Sequence, residues 1–399
     1  MRRATQYVRG RRRFLIGSAS AGAACLWPLR LQDAPSKIGK RGKVGDTGGA
    51  AVPSNRVSLA DFGGVPGAGR TILASAFSRA LAALERRGGG ILLVPPGLYD
   101  FGSHADPAYI ILCRNVRNVA ISAYGATFMA TTSAQVVPNM FYFFNFSNVT
   151  IAGASFIDPG FSPWVNWRGM YCVGIQADQA SSGLRMVDCY AERVVGLLAS
   201  NNNTSSQRYL SDISVQGEVR YSYYGVAASF IMKNVNVDLV CHNVRRAFIA
   251  CSLRKGEIAI TASNSLNWPG SNGLVSLATN GASTGNVENV RVRVDVSGDC
   301  IHSAYVHFYH QGPEVKGYIR DVDATVNVIE SNSTGTLFLF DHEVDGVQRK
   351  TARTWDRIAL HGKVAPGYTG KIIANPSITI SPGAVSIDCN LARLGAAMS

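Results

Sequence analysis

The sequence predicts an all-β chain wound as a parallel solenoid, with one amphipathic α-helix near its N-terminal end. Three observations carry this. Pairs of alternating aliphatic residues return every 22 to 35 residues between Val119 and Leu360, with one double interval. A second strand-like triplet precedes each pair from Val149 onward. The composition, with 41 glycines, 46% hydrophobic and 16% charged residues, suits sheet and turns.

The first element is a leader. Arg11-Arg12-Arg13-Phe14-Leu15-Ile16 runs into the small residues Gly17 to Ala24. Paired arginines, an aromatic–leucine step and a mild apolar run resemble a twin-arginine (Tat) export signal, placed over residues 1–27 with Ala21-Gly22-Ala23 as the small-x-small cleavage region. The apolar run is too short to span a membrane. Cys25 does not make a lipoprotein signal, because Gly22 stands where a large aliphatic residue is wanted. Residues 28–55, rich in Lys, Gly, Pro and Ser, read as a linker. Residues 56–399 then form a single domain, expected in the periplasm or secreted.

The net charge of +13 belongs mostly to that leader. Eleven of the 39 Lys/Arg and two of the 26 Asp/Glu lie in residues 1–46, which leaves 28 basic against 24 acidic residues and a net of +4. Phosphate-driven binding needs a concentrated basic face, so no nucleic-acid partner is expected. Seven cysteines follow the leader, an odd number with no zinc-ligand spacing, and they read as buried thiols.

The helix comes next. Ile72, Ala76, Phe77, Ala80, Leu81 and Leu84 fall on one face between Thr71, a candidate cap, and Gly88, a candidate stop. The strands follow at Val119/Ile121, Val149/Ile151, Leu184/Met186, Ile213/Val215, Val235/Val237, Ile258/Ile260, Val290/Val292 and Ile358/Leu360, and Val322 supplies the coil missing from the double interval. The preceding strands centre on Phe143-Phe144-Asn145, Val173-Gly174-Ile175, Leu197-Leu198-Ala199, Val226-Ala227-Ala228, Phe248-Ile249-Ala250, Val275-Ser276-Leu277, Val306-His307-Phe308 and Phe338-Leu339-Phe340. A β-sandwich would need antiparallel hairpins with Asn-Gly or Asp-Gly turns, which are not prominent.

Val57-Ser58-Leu59-Ala60-Asp61-Phe62-Gly63-Gly64, the helix, and Gly88-Gly89-Gly90-Ile91-Leu92-Leu93-Val94-Pro95-Pro96-Gly97-Leu98-Tyr99 together resemble the opening of the pectate-lyase-like superfamily. The resemblance covers about residues 57–100 and departs at Arg70-Thr71, where the family carries paired acidic residues. It implies a right-handed parallel β-helix whose first coil is covered by the helix. The superfamily includes polysaccharide lyases, hydrolases, epimerases and phage tailspikes. The expected function is therefore an exported carbohydrate-active enzyme that cleaves an acidic polysaccharide or exopolysaccharide, as a lyase or a glycoside hydrolase. The alternative is a non-catalytic polysaccharide-binding or structural protein of a cell-surface system. The oligomeric state is left open between monomer and trimer.

Stacked coils place equivalent positions about 4.8 Å apart, so distant residues can be compared by register. That register pairs Phe308 with Phe340, Tyr309 with Asp341, His310 with His342 and Gln311 with Glu343. The expected catalytic set is His307, His310, Asp341 and Glu343, with Tyr309 and His342 binding substrate, because mixed imidazoles and carboxylates tune pKa values for acid–base work. A solvated strand end laced by salt bridges would contain the same residues. A second cluster gathers Tyr221, Tyr223, Tyr224, His242, Arg245, Arg246, Asp299 and His302, where a cation beside a phenol suits elimination on a uronate. Of these, Tyr223, Arg245, Arg246 and His302 are expected to bind substrate. So are Asp158, Trp164 and Trp167 in the 158–168 loop, and Trp268, either stacking on sugars or folded back over the solenoid.

The polygalacturonase residue set is missing, and so are a P-loop, a dinucleotide fingerprint, a G-x-S-x-G elbow and an H-E-x-x-H motif. No cofactor is expected, and no D-x-D-x-D cluster supplies a calcium site.

Overall fold

The computed structural model describes residues 54–104, 109–132, 137–162, 169–200, 210–228, 231–265, 273–280, 285–300, 302–311, 317–330, 333–344, 347–348, 355–374 and 384–388. The leader and nearly all of the linker lie outside the described residues. The chain divides into the units Met1–Asp46 and Thr47–Ser399, and the described residues belong to the second.

One α-helix, α1 (Arg70–Arg86), buries Leu73, Ala76, Phe77, Ala80, Leu81, Ala83 and Leu84. Leu73 takes the core place expected of Ile72, which is 53% exposed. Gly69, not Thr71, is the N-cap residue, without a side-chain cap. At the other end Arg87 is the C-cap and Gly88 follows at φ 77°, where its missing Cβ permits the left-handed turn.

Past residue 170 each coil contributes a short front strand and a longer back strand. The front strands are Tyr171–Gln176, Gly196–Ser200, Tyr224–Ala228, Arg246–Ala250, Val275–Asn280, Ala304–Gln311 and Thr336–Val344. The back strands are Ser181–Glu192, Leu210–Arg220, Met232–His242, Leu253–Ser263, Val287–Ser297, Ile319–Val328 and Trp355–Val364. Front pairs with front and back with back, always in parallel. Among the described residues the sole antiparallel pairing is a hairpin at Glu343–Gln348. Tyr109–Ser122 and Asn139–Ala152 carry both segments of the first coils in single strands, bent at positive-φ asparagines. This is a parallel β-helix, the fold that the repeat predicts.

The back register runs Val119, Val149, Leu184, Ile213, Val235, Gly256, Val290, Val322, Ile358. Val322 supplies the missing coil, as expected. The pair Ile258/Ile260 is offset by two residues from the expected alignment, because Gly256 holds the aliphatic position. A Cβ there would stand 2.9 Å from Leu253 Cδ2, so Leu253 already fills that space. In front, Phe141 and Leu198 align with Val173, in place of Phe143 and Leu197.

The residue before each back-strand pair has a left-handed backbone. Asn118, Asn148, Gly183, Asp212, Asn234, Lys255, Asn289, Asp321 and Arg357 form this column, with φ between 49° and 75°. Asn and Asp tolerate this region better than most L-residues, because their short polar side chains bond locally. Their amides also ladder between coils, with Asn148 Nδ2 donating to Asn118 Oδ1 at 3.0 Å.

Inside, an apolar column is filled by Val173, Leu198, Val226, Phe248, Val275, Val306 and Phe338, all buried. The N-terminal coils pack aromatic rings instead: Phe128 lies 5.2–5.9 Å from Phe77, Tyr99, Phe141 and Phe156. The described cysteines Cys113, Cys172, Cys189, Cys241 and Cys300 are buried free thiols, and Cys251 is partly buried.

Candidate functional site

Strand alternation sends every second front-strand side chain outward. One outward row reads Tyr142, Gly174, Ala199, Ala227, Ile249, Ser276, His307, Leu339. It opens on Tyr109 and Tyr142, stacked at 6.0 Å and 10°. Beside them Arg114 lies 4.9 Å from the ring centre of Phe144. Gly174 makes room for its neighbours: a Cβ there would meet Asn139 Oδ1 at 2.2 Å and Tyr142 Cδ2 at 2.9 Å, so those two side chains cover it and no larger residue fits. Ala199 and Ala227 keep the row shallow.

The start of the front strands is aromatic and cationic. Tyr171, Gly196, Tyr224 and Arg246 are in register. Tyr223 and Tyr224 have ring centres 4.5 Å apart, and the Arg245 guanidinium lies 4.4 Å over Tyr223. Tyr223 itself is buried, packing with Phe161 and Val195. Burial raises the Tyr224 hydroxyl to about 12, against the opposing pull of Arg246. Burial also raises Tyr171, and it lowers Arg245. At neutral pH these phenols are hydrogen-bond donors, not bases. The corner thus joins Tyr223, Arg245 and Arg246, three of the residues expected to bind substrate.

The expected catalytic set is divided between two faces. Its register holds throughout: Phe308 with Phe340, Tyr309 with Asp341, His310 with His342 and Gln311 with Glu343. Its outward members His307 and Asp341 lie beside Tyr309, expected to bind substrate, with His307 Nε2 3.6 Å from Asp341 Oδ2 and the His307 and Tyr309 rings 5.0 Å apart. His307 is fully buried and Asp341 is 6% exposed. His310, two residues after the inward Phe308, faces the core by the same alternation. Its ring lies 4.3 Å from Trp355 and its Nδ1 is 2.5 Å from Thr279 Oγ1. His310 therefore does not join the outward patch. The side chains of His342 and Glu343 lie outside the described residues, as do Trp164, Trp167 and Trp268.

Two further expectations are corrected. His302 is buried at 2% exposure with no hydrogen-bond partner at either ring nitrogen, so in this conformation it presents no surface to a substrate. Burial lowers its pKa to about 4. Asp158 is fully buried and accepts from Thr132 N, Thr132 Oγ1, Gly160 N and Met170 N. Burial pushes its pKa up, and those bonds pull against the rise. Its oxygens are spent on folding the loop.

His302 gives a pH expectation. Its folded pKa lies below the ordinary 6.5, so its stability contribution is complete above pH 6.5 and is lost as pH falls towards 4. The total is about 3 kcal/mol. Denaturant titrations at pH 7.5 and 4.5 should show His302→Leu losing less stability on acidification than the native chain.

On the back strands the structure brings together a cluster of which sequence reasoning named only His242. Tyr190 and Glu218 share one register position, and Glu192, Arg220, His242 and Ser263 share the next outward one. Tyr190 donates to Glu192 Oε2 at 2.6 Å, and Arg220 Nε binds Glu218. The signal was available as polar residues two apart at the ends of two neighbouring back strands, Tyr190/Glu192 and Glu218/Arg220. Among the described residues no group of three or more His, Cys, Asp or Glu side chains is arranged to hold a metal. Nor is any described helix long and apolar enough to cross a membrane.

No family model matches the chain, and no curated protein matches it. Among solved structures, a double mutant of the tailspike protein of E. coli bacteriophage HK620 superposes with a TM-score of 0.53 at 14% identity, over 83% of this chain and 65% of that one. Another mutant of that tailspike, in complex with a pentasaccharide, gives 0.49 at 16% identity over 84% and 63%. An exopolygalacturonase from Thermotoga maritima gives 0.30 at 12% over 85% and 82%. The chain spans just under two thirds of the tailspike length. Such identities establish the fold alone: a right-handed parallel β-helix, the hand that strand–crossover–strand connections take almost without exception.

Proposed function

We propose that this β-helix is an exported protein that holds an acidic polysaccharide along its front face and cleaves it. The observation that carries the reading is the corner of Tyr224, Arg245 and Arg246, with Tyr223 buried beneath Arg245, next to the small outward residues Ala199 and Ala227. Guanidinium groups pair with carboxylates in fixed geometry, and phenols offer both a stacking face and a donor. Ala227, partly exposed, keeps bulk and charge out of the row next to this corner. Export rests on the twin-arginine pattern of residues 1–27, which puts the protein in the periplasm or outside the cell.

Cleavage is assigned to His307 and Asp341 with Tyr309 beside them: His307 stands two coils beyond Ile249 in the same outward row, Tyr309 and Asp341 pair in the neighbouring one, and His307, closed in this conformation, must be uncovered to meet a polymer. Both lyase and hydrolase chemistry fit such a set. The burial of His307 favours a second reading, in which the same face binds polysaccharide without cutting it.

The two separate in one assay. Purified protein is incubated with alginate, polygalacturonate and a neutral glucan, and both reducing ends and ultraviolet absorbance are followed. Absorbing unsaturated ends mean a lyase, and reducing ends without absorbance mean a hydrolase. Binding without product supports the second reading. Neither binding nor product from any acidic polymer rejects the proposal.

A further inference from the structure

We propose that Ser263, His242 and Glu218 on the back face form an ester-hydrolysing centre; that its esters are O-acyl groups on carbohydrate hydroxyls rests on the function proposed above. This is a separate site from the front face and goes beyond the activity proposed there.

The geometry is a chain of three groups across three coils. Ser263 Oγ lies 2.6 Å from His242 Nδ1, and Glu218 Oε1 lies 3.6 Å from His242 Nε2. Nucleophile and carboxylate thus flank opposite nitrogens of one imidazole; Glu218 stands at ion-pair distance, where it stabilises the ring once His242 has taken the hydroxyl proton. Parallel register sets the spacing, because Arg220, His242 and Ser263 are successive residues of one column. The Glu218 carboxylate is held in turn by Arg220 Nε.

Other serines of this region are spent on the backbone. Ser222 Oγ accepts from Val194 N and Ser265 Oγ from Val244 N, and both are buried. Ser263 instead meets an imidazole, on a side chain that is 36% exposed. Burial, with Arg220 adding to it, lowers the His242 pKa and outweighs Glu218, so the ring is a neutral base at pH 7. On the side away from His242 the register puts Ser297 next to Ser263, a hydroxyl donor for the oxyanion.

The chemistry balances without a co-reactant other than water. Ser263 Oγ bonds to the ester carbonyl carbon as its proton passes to His242. The tetrahedral intermediate expels the sugar oxygen, which takes that proton from His242 and leaves as an alcohol. Water, deprotonated by His242, then cleaves the acyl–serine ester, releasing the carboxylic acid and restoring the serine. His242 and Ser263 are partly exposed, which leaves room for a short acyl group carried on a long polymer.

The test uses a fluorophosphonate probe and para-nitrophenyl acetate, neither of which contains a sugar, so failure here leaves the front-face proposal standing. The native chain should be labelled on the peptide that carries Ser263. Label and esterase rate should vanish in Ser263→Ala and fall by about 10²–10⁴-fold in His242→Gln. Ser211→Ala, elsewhere on the back strands, should match the native chain, with β-sheet circular dichroism showing that each variant is folded. An unlabelled native chain, label on another residue, or a His242→Gln rate equal to native would overturn the assignment.

Discussion

Replacing Phe128 by alanine is expected to cost about 3–5 kcal/mol of unfolding free energy, the range for deleting a buried aromatic ring. Phe128 is fully buried, and its ring meets Phe77, Tyr99, Phe141 and Phe156. These neighbours come from α1 and from successive coils, so no single segment can shift to fill the cavity. Phe77 is the residue through which α1 touches this cluster, and its contacts with Phe128 and Phe141 fix the helix against the coils. The loss should therefore appear as early unfolding of α1 with the first coils. Hydrogen exchange read by segment would show residues 70–132 opening first in Phe128→Ala. A stability change below 1 kcal/mol would mean that the rings do not pack as described.

The second large effect concerns the front corner. The double variant Arg245→Ala/Arg246→Ala should weaken binding of polygalacturonate or alginate, whichever the native chain holds, by at least about 100-fold. Each lost charge-assisted contact is worth about 1.5–3 kcal/mol, and two of them exceed that factor. The native affinity should fall with added salt and that of the double variant much less, because exposed charge pairs are screened. Stability should change little, since both side chains are partly exposed. Equal affinity in the two proteins would remove these arginines from the site.

Much of the solenoid was legible because its signal repeats. A single pair such as Val235/Val237 is weak evidence, whereas the same alternation at one-coil intervals specifies a common core. The two-residue offset at Ile258/Ile260 arose because Gly256 carries no apolar side chain, and only packing shows that Leu253 supplies it. A sharper marker was present: an Asn or Asp directly before most of the aliphatic pairs, set by the left-handed backbone there.

The site was legible in register but not in full. Tyr309 opposite Asp341 follows from counting, and so does the inward turn of His310, since it stands two residues from the inward Phe308. Residue chemistry alone grouped them on one patch, where alternation divides them. Burial is the part that sequence does not carry. The same imidazole on an outward position is open at His242 and closed at His307. Asp158 shows the reverse error, a loop carboxylate that reads as a ligand but is consumed by four backbone and hydroxyl donors of its own chain.

Hydroxyl-radical footprinting with and without polygalacturonate or alginate tests the central claim most directly, that a polymer lies along the front face. Tyr109, Tyr142 and Tyr224 line that face, whereas Tyr124 is 54% exposed away from it and Tyr318 sits against Glu288 at the start of a back strand. The polymer should protect the first three from oxidation, with Tyr124 and Tyr318 oxidised as before. Protection of Tyr124 or Tyr318, with the front tyrosines unchanged, would contradict it.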